Sequence, residues 1–302
     1  MNVLEVLNKF QKYRKTYKNY LSVMWNVKRG RDIIKVVLKN GDVFQWRWEK
    51  VYLYPAYKEN DIAKFNSFFT GVNIKVNENN LSFHGKQLNF TGTKNNGDLF
   101  GIFLLEDYSF LRCDGKDVVD IGANIGDSAI YFALNNAKRV IALEPYPHSY
   151  SSAEANVKNN DLGNVITLIN AGYGDDSTII VNEAFNNNVG SDLIASEQGI
   201  NIPLYSLKSL IERYNMQSPV LKMDCEGCEY NLLNEADEVI KRFKRIQIEY
   251  HYGYEKLKSK LEKAGFEVTF TKPRNVYNSS ASNPNTEVGF IYAENLTTSD
   301  FS

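Results

Sequence analysis

Apolar residues in the C-terminal two-thirds of the chain form short continuous runs, separated by segments with apolar residues at helical spacing. Runs rich in Val and Ile are typical of parallel strands, which crossover helices bury on both faces. Seven runs are predicted strands: 117–121, 140–143, 165–170, 220–223, 246–250, 267–271 and 288–293. Their alternation with helical segments predicts an α/β fold with a Rossmann-like, doubly wound, mostly parallel sheet.

The N-terminal part has a different pattern. Residues 2–27 carry apolar and aromatic side chains at helical spacing, and residues 32–51 contain two alternating runs joined through Asn40 and Gly41. An Asn-Gly pair between alternating runs is a strong signal for a β-hairpin. We therefore predict a small α+β appendage with a helix and a hairpin over 1–95, followed by the α/β domain over 96–302.

Composition adds limits to this picture. The 302 residues are 43% hydrophobic and 24% charged, with a net charge of −1, which argues against nucleic acid as the main partner. No apolar run approaches the roughly 20 residues that span a bilayer. The start of the chain also lacks the apolar core of a signal peptide, so we expect a cytoplasmic protein.

Positive charge is concentrated at the N-terminus, where residues 1–40 hold ten Lys or Arg against two acids. One interpretation is a helix that packs on its own domain and leaves its lysines in solvent. The alternative is a helix that contacts an anionic membrane surface or a protein partner.

The first predicted strand of the α/β domain ends in a glycine turn, Asp120 to Gly126. Gly122 and Gly126 can adopt positive φ and let a ligand approach the backbone, and Asn124 suits the same turn. Asp127 and Ser128 then provide N-cap chemistry for the next helix. The second strand ends at Glu144, at the spacing where a carboxylate can hydrogen-bond a ribose diol. Together these features predict a nucleotide-cofactor site.

The turn also discriminates between cofactors. The dinucleotide fingerprint has a glycine where this chain has Asn124, so that phosphates can reach the helix N-terminus. The carboxylate of Asp120 would repel a phosphate but can help to place the cationic amino-acid group of S-adenosylmethionine. We therefore favour S-adenosylmethionine over a dinucleotide.

Four stretches of the chain resemble class I S-adenosylmethionine-dependent methyltransferases of the FkbM type. They are 118–126, 142–145, 246–251 and the most specific one, 221–229, which has the form K-x-D-x-E-G-x-E. The resemblance covers about residues 95 to 295 and implies a seven-stranded sheet with an antiparallel last strand. It also implies that Asn170 and Ala171 lie near the adenine. The predicted cofactor-binding residues are Asp120, Gly122, Ala123, Asn124, Gly126, Asp127, Ser128, Glu144, Pro145, Tyr146, Asn170, Ala171 and Asp224.

Methyl transfer to a hydroxyl group needs a base, because the hydroxyl proton must leave. The candidate catalytic residues are His251, Asp224 and Glu226, and His251 is the first choice because histidine titrates near neutrality. A structural histidine at a strand end is the alternative. Glu226 and Glu249 could instead orient a polyol or bind a divalent ion, but no residue is assigned to a metal site.

The segment after the fourth predicted strand bears on the acceptor. Methyltransferases that act on exocyclic amines of nucleobases usually have a Pro-Pro-aromatic motif there, whereas this chain has Asp224-Cys225-Glu226-Gly227. O-methylation is therefore favoured, and family analogy points to a hydroxylated small molecule or glycan. Two other functions stay open: an NAD-dependent oxidoreductase on the same βαβ unit, and a non-catalytic cofactor-binding protein that serves assembly.

The three cysteines, Cys113, Cys225 and Cys228, fit a reducing compartment. Cys225 and Cys228 are two ligands short of a structural zinc site. We expect them to be small buried apolar residues, with a reversible disulfide as the alternative.

Overall fold

A computed structural model describes the chain in two compact units, Met1–Leu88 and Asn89–Ser302, which are presented separately. The domain boundary predicted after residue 95 stays a prediction. The described residues are 3–31, 33–39, 41, 43–47, 50–51, 54–55, 80–83, 86–91, 98–181, 195–277 and 285–296. The segment 183–201, whose richness in Asn, Ser and Gly predicts a loop, lies mostly outside them.

The N-terminal unit combines helices with short hairpins. Its elements are α1 (Val3–Thr16), α2 (Tyr20–Lys28), β1 (Ile33–Val37), β2 (Val43–Arg47), β3 (Asn80–Phe83) and β4 (Lys86–Asn89). Strands β1 and β2 pair antiparallel, with Val37 opposite Val43, which confirms the predicted hairpin. The small core of this unit includes Tyr17, Val23 and Ile34. These contacts confirm that the basic helical segment packs on its own unit.

The single helix expected over residues 2–27 is two helices. Tyr17 leaves the helix to form an isolated bridge with Leu38, and its hydroxyl donates to the Val51 carbonyl at 2.8 Å. The side chain of Asn19 accepts a hydrogen bond from the Val37 backbone. These tertiary contacts outweigh local helix propensity, which is a weak preference at any one residue.

The C-terminal unit is built on one large sheet. Its strands are β5 (Asp117–Ile121), β6 (Arg139–Leu143), β7 (Ile166–Ile169), β11 (Val220–Met223), β12 (Arg245–Tyr250), β13 (Phe266–Phe270), β14 (Arg274–Tyr277) and β15 (Asn285–Asn295). The order across the sheet is β13-β15-β12-β11-β5-β6-β7, and β14 pairs with β15. The five adjacent strands β12, β11, β5, β6 and β7 pair with one another in parallel, and β15 is antiparallel to both β12 and β13. This topology confirms the predicted seven-stranded, mostly parallel sheet with an antiparallel last strand.

Helices cover the sheet because its central strands are apolar on both faces, as Val119, Ile141, Leu221 and Ile246 illustrate by their complete burial. The helices are α3 (Asp98–Phe100), α4 (Asp127–Leu134), α5 (Pro147–Asn159), α6 (Leu207–Arg213), α7 (Asp237–Ile240) and α8 (Glu255–Lys263). Among the described helices, none has the length and hydropathy that crossing a bilayer requires.

Sequence patterns missed a second, three-stranded sheet in this unit. It is formed by β8 (Gly172–Tyr173), β9 (Thr178–Val181) and β10 (Ile200–Tyr205), in the order β8-β10-β9. Strand β10 includes Pro203, which lacks the backbone donor of a regular strand residue and therefore obscured the prediction.

Candidate functional site

The glycine turn follows β5 and approaches the end of β11. Gly122 and Gly126 have φ values of 79° and 84°, and Asn124 adopts the same left-handed region at 47°. A Cβ atom on Gly122 would lie 1.9 Å from the carbonyl oxygen of Asp224. The close approach that requires glycine is therefore made by the protein backbone, and it joins the turn to Asp224.

The helix start differs from the prediction that Asp127 and Ser128 cap it. The N-cap residue of α4 is Gly126, which has no side chain to cap with, and Asp127 lies in the first helical turn. The Ser128 hydroxyl instead donates to Asp120 Oδ2 at 2.6 Å. The Asp127 carboxylate lies where the helix dipole favours negative charge, although burial raises its pKa to about 8.

Glu144 connects the end of β6 to the glycine turn. Its Oε2 accepts the Asn124 N–H at 2.8 Å, and its Oε1 accepts the Tyr146 N–H at 2.9 Å. Each carboxylate oxygen has a second lone pair for another donor, so a ribose diol can still bind. Burial raises the pKa of Glu144 to about 7.

Asn170 and Ala171 follow β7. The Asn170 amide group donates to the carbonyls of Glu144 and Pro145, at 2.9 and 3.1 Å. This leaves the side-chain oxygen as the acceptor that an adenine amino group would need. Ala123 and Ala171 are fully buried, so their role in cofactor binding stays a prediction.

Asp120 has an internal cation as a neighbour, which sequence reasoning missed. Lys222 on β11 lies opposite Asp120 in the sheet, and its Nζ is 3.1 Å from Asp120 Oδ1. The same ammonium donates to the Gly122 carbonyl at 2.7 Å. Burial lowers the pKa of Lys222, but Asp120 and Asp224 outweigh that effect and raise it. Lys222 is the first residue of the K-x-D-x-E-G-x-E pattern, and this position was the sequence feature that could have identified it as a site residue.

Asp224 follows β11 and is half-buried beside the glycine turn. The Tyr108 hydroxyl donates to its Oδ2 at 3.2 Å, and the Tyr108 ring packs against Phe132. The Lys222 ammonium lies 5.5 Å from the centre of the same ring. Tyr108 therefore links the segment before β5 to the carboxylate that follows β11.

His251 follows β12 and has a carboxylate at each ring nitrogen. Its Nε2 is 3.1 Å from Glu226 Oε2, and its Nδ1 is 3.0 Å from Glu229 Oε1. Burial lowers the pKa of His251, but the two carboxylates outweigh burial and raise it to about 12. The two carboxylates therefore favour the imidazolium form of His251, which does not accept a proton, and the role of His251 as a base stays a prediction.

Glu229 is the residue that the sequence interpretation failed to assign. It is fully buried, and its Oε1 also accepts the backbone N–H of His251 at 3.0 Å. Its Oε2 accepts the Gly227 N–H at 2.8 Å. Glu229 is the last acid of the K-x-D-x-E-G-x-E pattern. The sequence therefore showed that an acid is present here, but it did not show that this acid pairs with His251.

Two further acidic residues lie near Asp224. Burial, and then repulsion by Asp224, raise the pKa of Asp98 to about 6. The same two causes raise the pKa of Glu249 well above its usual range. The edge of the sheet beyond β11 and β12 is therefore rich in carboxylates.

Cys225 and Cys228 form a disulfide bond, which replaces the expected pair of free thiols. The bond spans the turn between Asp224 and Glu229. Cys113 is a buried free thiol, and burial raises its pKa to about 11.

The donor set around the turn fits S-adenosylmethionine. Carboxylates such as Asp98 and Asp224 suit a sulfonium and an ammonium group, Glu144 suits a ribose diol, and the Asn170 oxygen suits an adenine amino group. Asp224, Glu144 and Asn170 follow the carboxyl ends of different strands, where open α/β sheets bind their ligands.

Comparison with solved structures finds distant similarity to methyltransferases. A precorrin-6y C5,15-methyltransferase from Geobacter metallireducens is 18% identical, with a TM-score of 0.36, over 63% of this chain and 87% of that one. The M. jannaschii TYW2 in complex with AdoMet is 17% identical, with a TM-score of 0.39, over 72% of this chain and 86% of that one. A comparison with curated proteins finds no significant match.

The family comparison is specific. A family model described as the methyltransferase FkbM domain matches residues 120–268. The matched range begins at Asp120, before the glycine turn, and includes Glu144, Asp224 and His251. Residues 120–268 therefore match the FkbM methyltransferase domain, and this match supports an S-adenosylmethionine-dependent methyltransferase with the class I fold.

Proposed function

We propose that this protein methylates a hydroxyl group of a small molecule or a glycan. The observation that carries the proposal is the set of acidic side chains at the ends of β11 and β12, where Asp224, Glu226 and Glu249 lie near one another. Carboxylates accept hydrogen bonds from hydroxyl groups. The same negative charge disfavours a phosphodiester backbone, so a nucleic acid is a poorer acceptor for this site.

The protein's contribution to such a reaction is mainly alignment. The sulfonium of S-adenosylmethionine provides a methyl group with a good leaving group, so no residue needs to activate it. Glu144 and Asn170 would hold the nucleoside, and the carboxylates near Asp224 would attract the cationic end. Holding the acceptor oxygen in line with the methyl group then supplies most of the acceleration.

Removal of the hydroxyl proton falls to a carboxylate in this proposal. His251 is less suited to this role than a carboxylate, because Glu226 and Glu229 at its two ring nitrogens favour its protonated form. Asp224 lies beside the glycine turn and receives the Tyr108 hydroxyl as a donor. We assign Asp224 the role of accepting the acceptor's proton as the carbon–oxygen bond forms. We further propose that the reaction takes place in the cytoplasm.

The test is an acceptor screen with S-adenosylmethionine that carries a radioactive methyl group. Paired acceptors that differ only by a hydroxyl or an amino group at one position separate O- from N-methylation. We expect label in the hydroxyl members and at least about a hundredfold loss in Asp224→Asn, within the range for general bases. Glu238→Gln, at an exposed glutamate, is the control. Label confined to amines or to RNA would refute the proposal.

A further inference from the structure

We propose that Asp224, Glu226 and His251 form a binding site for a divalent metal ion of the Mn²⁺ class. The ion's binding is inferred from the geometry of these three residues. Its role, to bind the acceptor hydroxyl, rests on the proposed function.

The spacing of the three side chains suits a single ion. One ligand atom from each residue can be chosen so that all three lie within 4.8 Å of one another. The distance between His251 Nε2 and Glu226 Oε2 is 3.1 Å. An octahedral ion with bonds of about 2.1 Å separates neighbouring ligands by about 3 Å and opposite ligands by about 4.2 Å. The observed contact therefore has the length of one edge of such a coordination polyhedron.

The residue behind His251 completes the arrangement. Metal-binding histidines usually donate their other ring N–H to a carboxylate, which fixes the ring orientation. Glu229 occupies that position, with Oε1 at 3.0 Å from Nδ1. It is fully buried and is itself held by the Gly227 N–H. With Nδ1 directed to Glu229, the atom that faces Asp224 and Glu226 is Nε2.

The surrounding charge favours a cation at this point. Asp224 and Glu226 are half-buried and lie close to Glu249. Like charges at short range in a partly buried site repel one another, and a divalent ion would compensate them. The ion would take the place of the proton on His251 Nε2, because a histidine ligand must be neutral. One imidazole nitrogen with two carboxylate oxygens suits Mn²⁺ or Zn²⁺ better than Ca²⁺, whose ligands are oxygens.

Three protein ligands leave coordination positions open for water or an acceptor oxygen. An acceptor hydroxyl bound there would lose its proton more readily, because the ion stabilises the alkoxide. The alkoxide attacks the methyl carbon, the new carbon–oxygen bond forms and the carbon–sulfur bond breaks, which leaves S-adenosylhomocysteine. The proton passes to a carboxylate and then to solvent. This step needs neither an oxidant nor a reductant.

The experiment is a titration of the full chain with Mn²⁺, in which the electron paramagnetic resonance signal measures the concentration of the free ion. Neither cofactor nor acceptor is present, so the readout is independent of turnover. We expect one bound ion per chain and at least about tenfold weaker binding in Glu226→Gln and Asp224→Asn. Glu238→Gln should bind as the wild type does. Cys225→Ser/Cys228→Ser should keep the ion, since thiolates are not among the proposed ligands.

His251→Gln is the most direct variant, and its fold is checked by circular dichroism before the titration. The partly exposed Glu226 provides the independent test if that variant does not fold. Absence of binding at millimolar Mn²⁺ in the wild type, or equal binding by Glu226→Gln and the wild type, would overturn the inference. Binding of Mn²⁺ without any O-methylated product would instead refute the proposed function and leave the metal site standing.

Discussion

The two halves of the site are held together in different ways. In the cofactor half, backbone groups dominate: the N–H groups of Gly122 and Ala123 donate to the Leu143 carbonyl, and Asn124 donates to Glu144. In the half that we propose binds the acceptor, here called the acceptor half, side chains dominate, with His251 between Glu226 and Glu229. A backbone arrangement tolerates few residue types, whereas an ion-paired cluster depends on the charge of every member. The two halves should therefore fail differently when they are perturbed.

The largest effect is expected from Gly122→Ala in the cofactor half. The new Cβ would lie 1.9 Å from the Asp224 carbonyl oxygen, at a φ of 79°. Overpacking and left-handed strain together should lower the free energy of unfolding by more than about 3 kcal/mol. Denaturant titration measures the loss. Gly115→Ala is the matched control, because φ is 66° and no atom lies within 4 Å. It should cost about 1 kcal/mol, and equal losses would contradict the steric argument.

The next effect is on cofactor affinity. Glu144→Ala removes the acceptor of two backbone N–H groups and the proposed partner of the ribose. We expect S-adenosylmethionine to bind at least about tenfold more weakly, which corresponds to about 1.4 kcal/mol. Calorimetry measures this difference. Glu154→Ala, at an exposed position on α5, should bind as the wild type does. Affinity within twofold of the wild type for Glu144→Ala would remove Glu144 from the cofactor site.

The acceptor half should respond to reduction of its disulfide. The Cys225–Cys228 bond closes a very short loop, for which chain entropy predicts a stabilisation of no more than about 2 kcal/mol. A reducing agent should therefore lower the free energy of unfolding of the wild type by up to that amount. The same agent should leave Cys225→Ser/Cys228→Ser unchanged. An identical unfolding curve for the wild type with and without reductant would show that the bond does not stabilise the unit.

The last effect is a dependence of stability on pH. Burial raises the pKa values of Asp98, Glu144 and Asp127 above their unfolded values, to about 6, 7 and 8. Groups with raised folded pKa values stabilise most below the unfolded pKa, and this contribution is lost as pH rises through the folded pKa. The free energy of unfolding should thus fall by about 1 kcal/mol or more between pH 5 and pH 9.

Asp127→Asn tests the origin of that decrease. Asparagine resembles the protonated acid and should flatten the pH dependence measured by denaturant titration. Asp175→Asn, at an exposed position, should leave the slope unchanged. A wild-type protein whose stability rises from pH 7 to pH 9 would show that these carboxylates ionise more easily than their burial implies.

The fold was largely predictable because its determinants are local and periodic. The fourth strand, Val220–Met223, was predicted with the observed bounds, since it is a short apolar run between turn residues. The glycine turn was predicted because positive φ restricts the choice of residue. In contrast, the break at Tyr17 and the strand around Pro203 depend on distant partners, Leu38 for the first and β8 and β9 for the second.

The site was predictable in its members and not in their protonation states. Asp224, Glu226 and His251 were expected at adjacent strand ends, and the structure brings them together. The pKa of His251 could not be predicted because it depends on Glu229, a buried residue of the 3-10 helix Cys228–Asn234. Lys222 was hidden for a similar reason: its partner Asp120 lies about a hundred residues earlier and becomes its neighbour only through strand pairing.

Burial of the Lys222 ammonium has a practical consequence. Its Nζ is enclosed by Asp120 and the Gly122 carbonyl, so an amine-reactive reagent can reach it only when the ends of β5 and β11 separate. The labelling rate of this lysine, measured on peptides after digestion, would then report how often the ends of these two strands open. Bound cofactor that stabilises the strand ends would slow the labelling, so Lys222 would report local opening of the site in the intact protein.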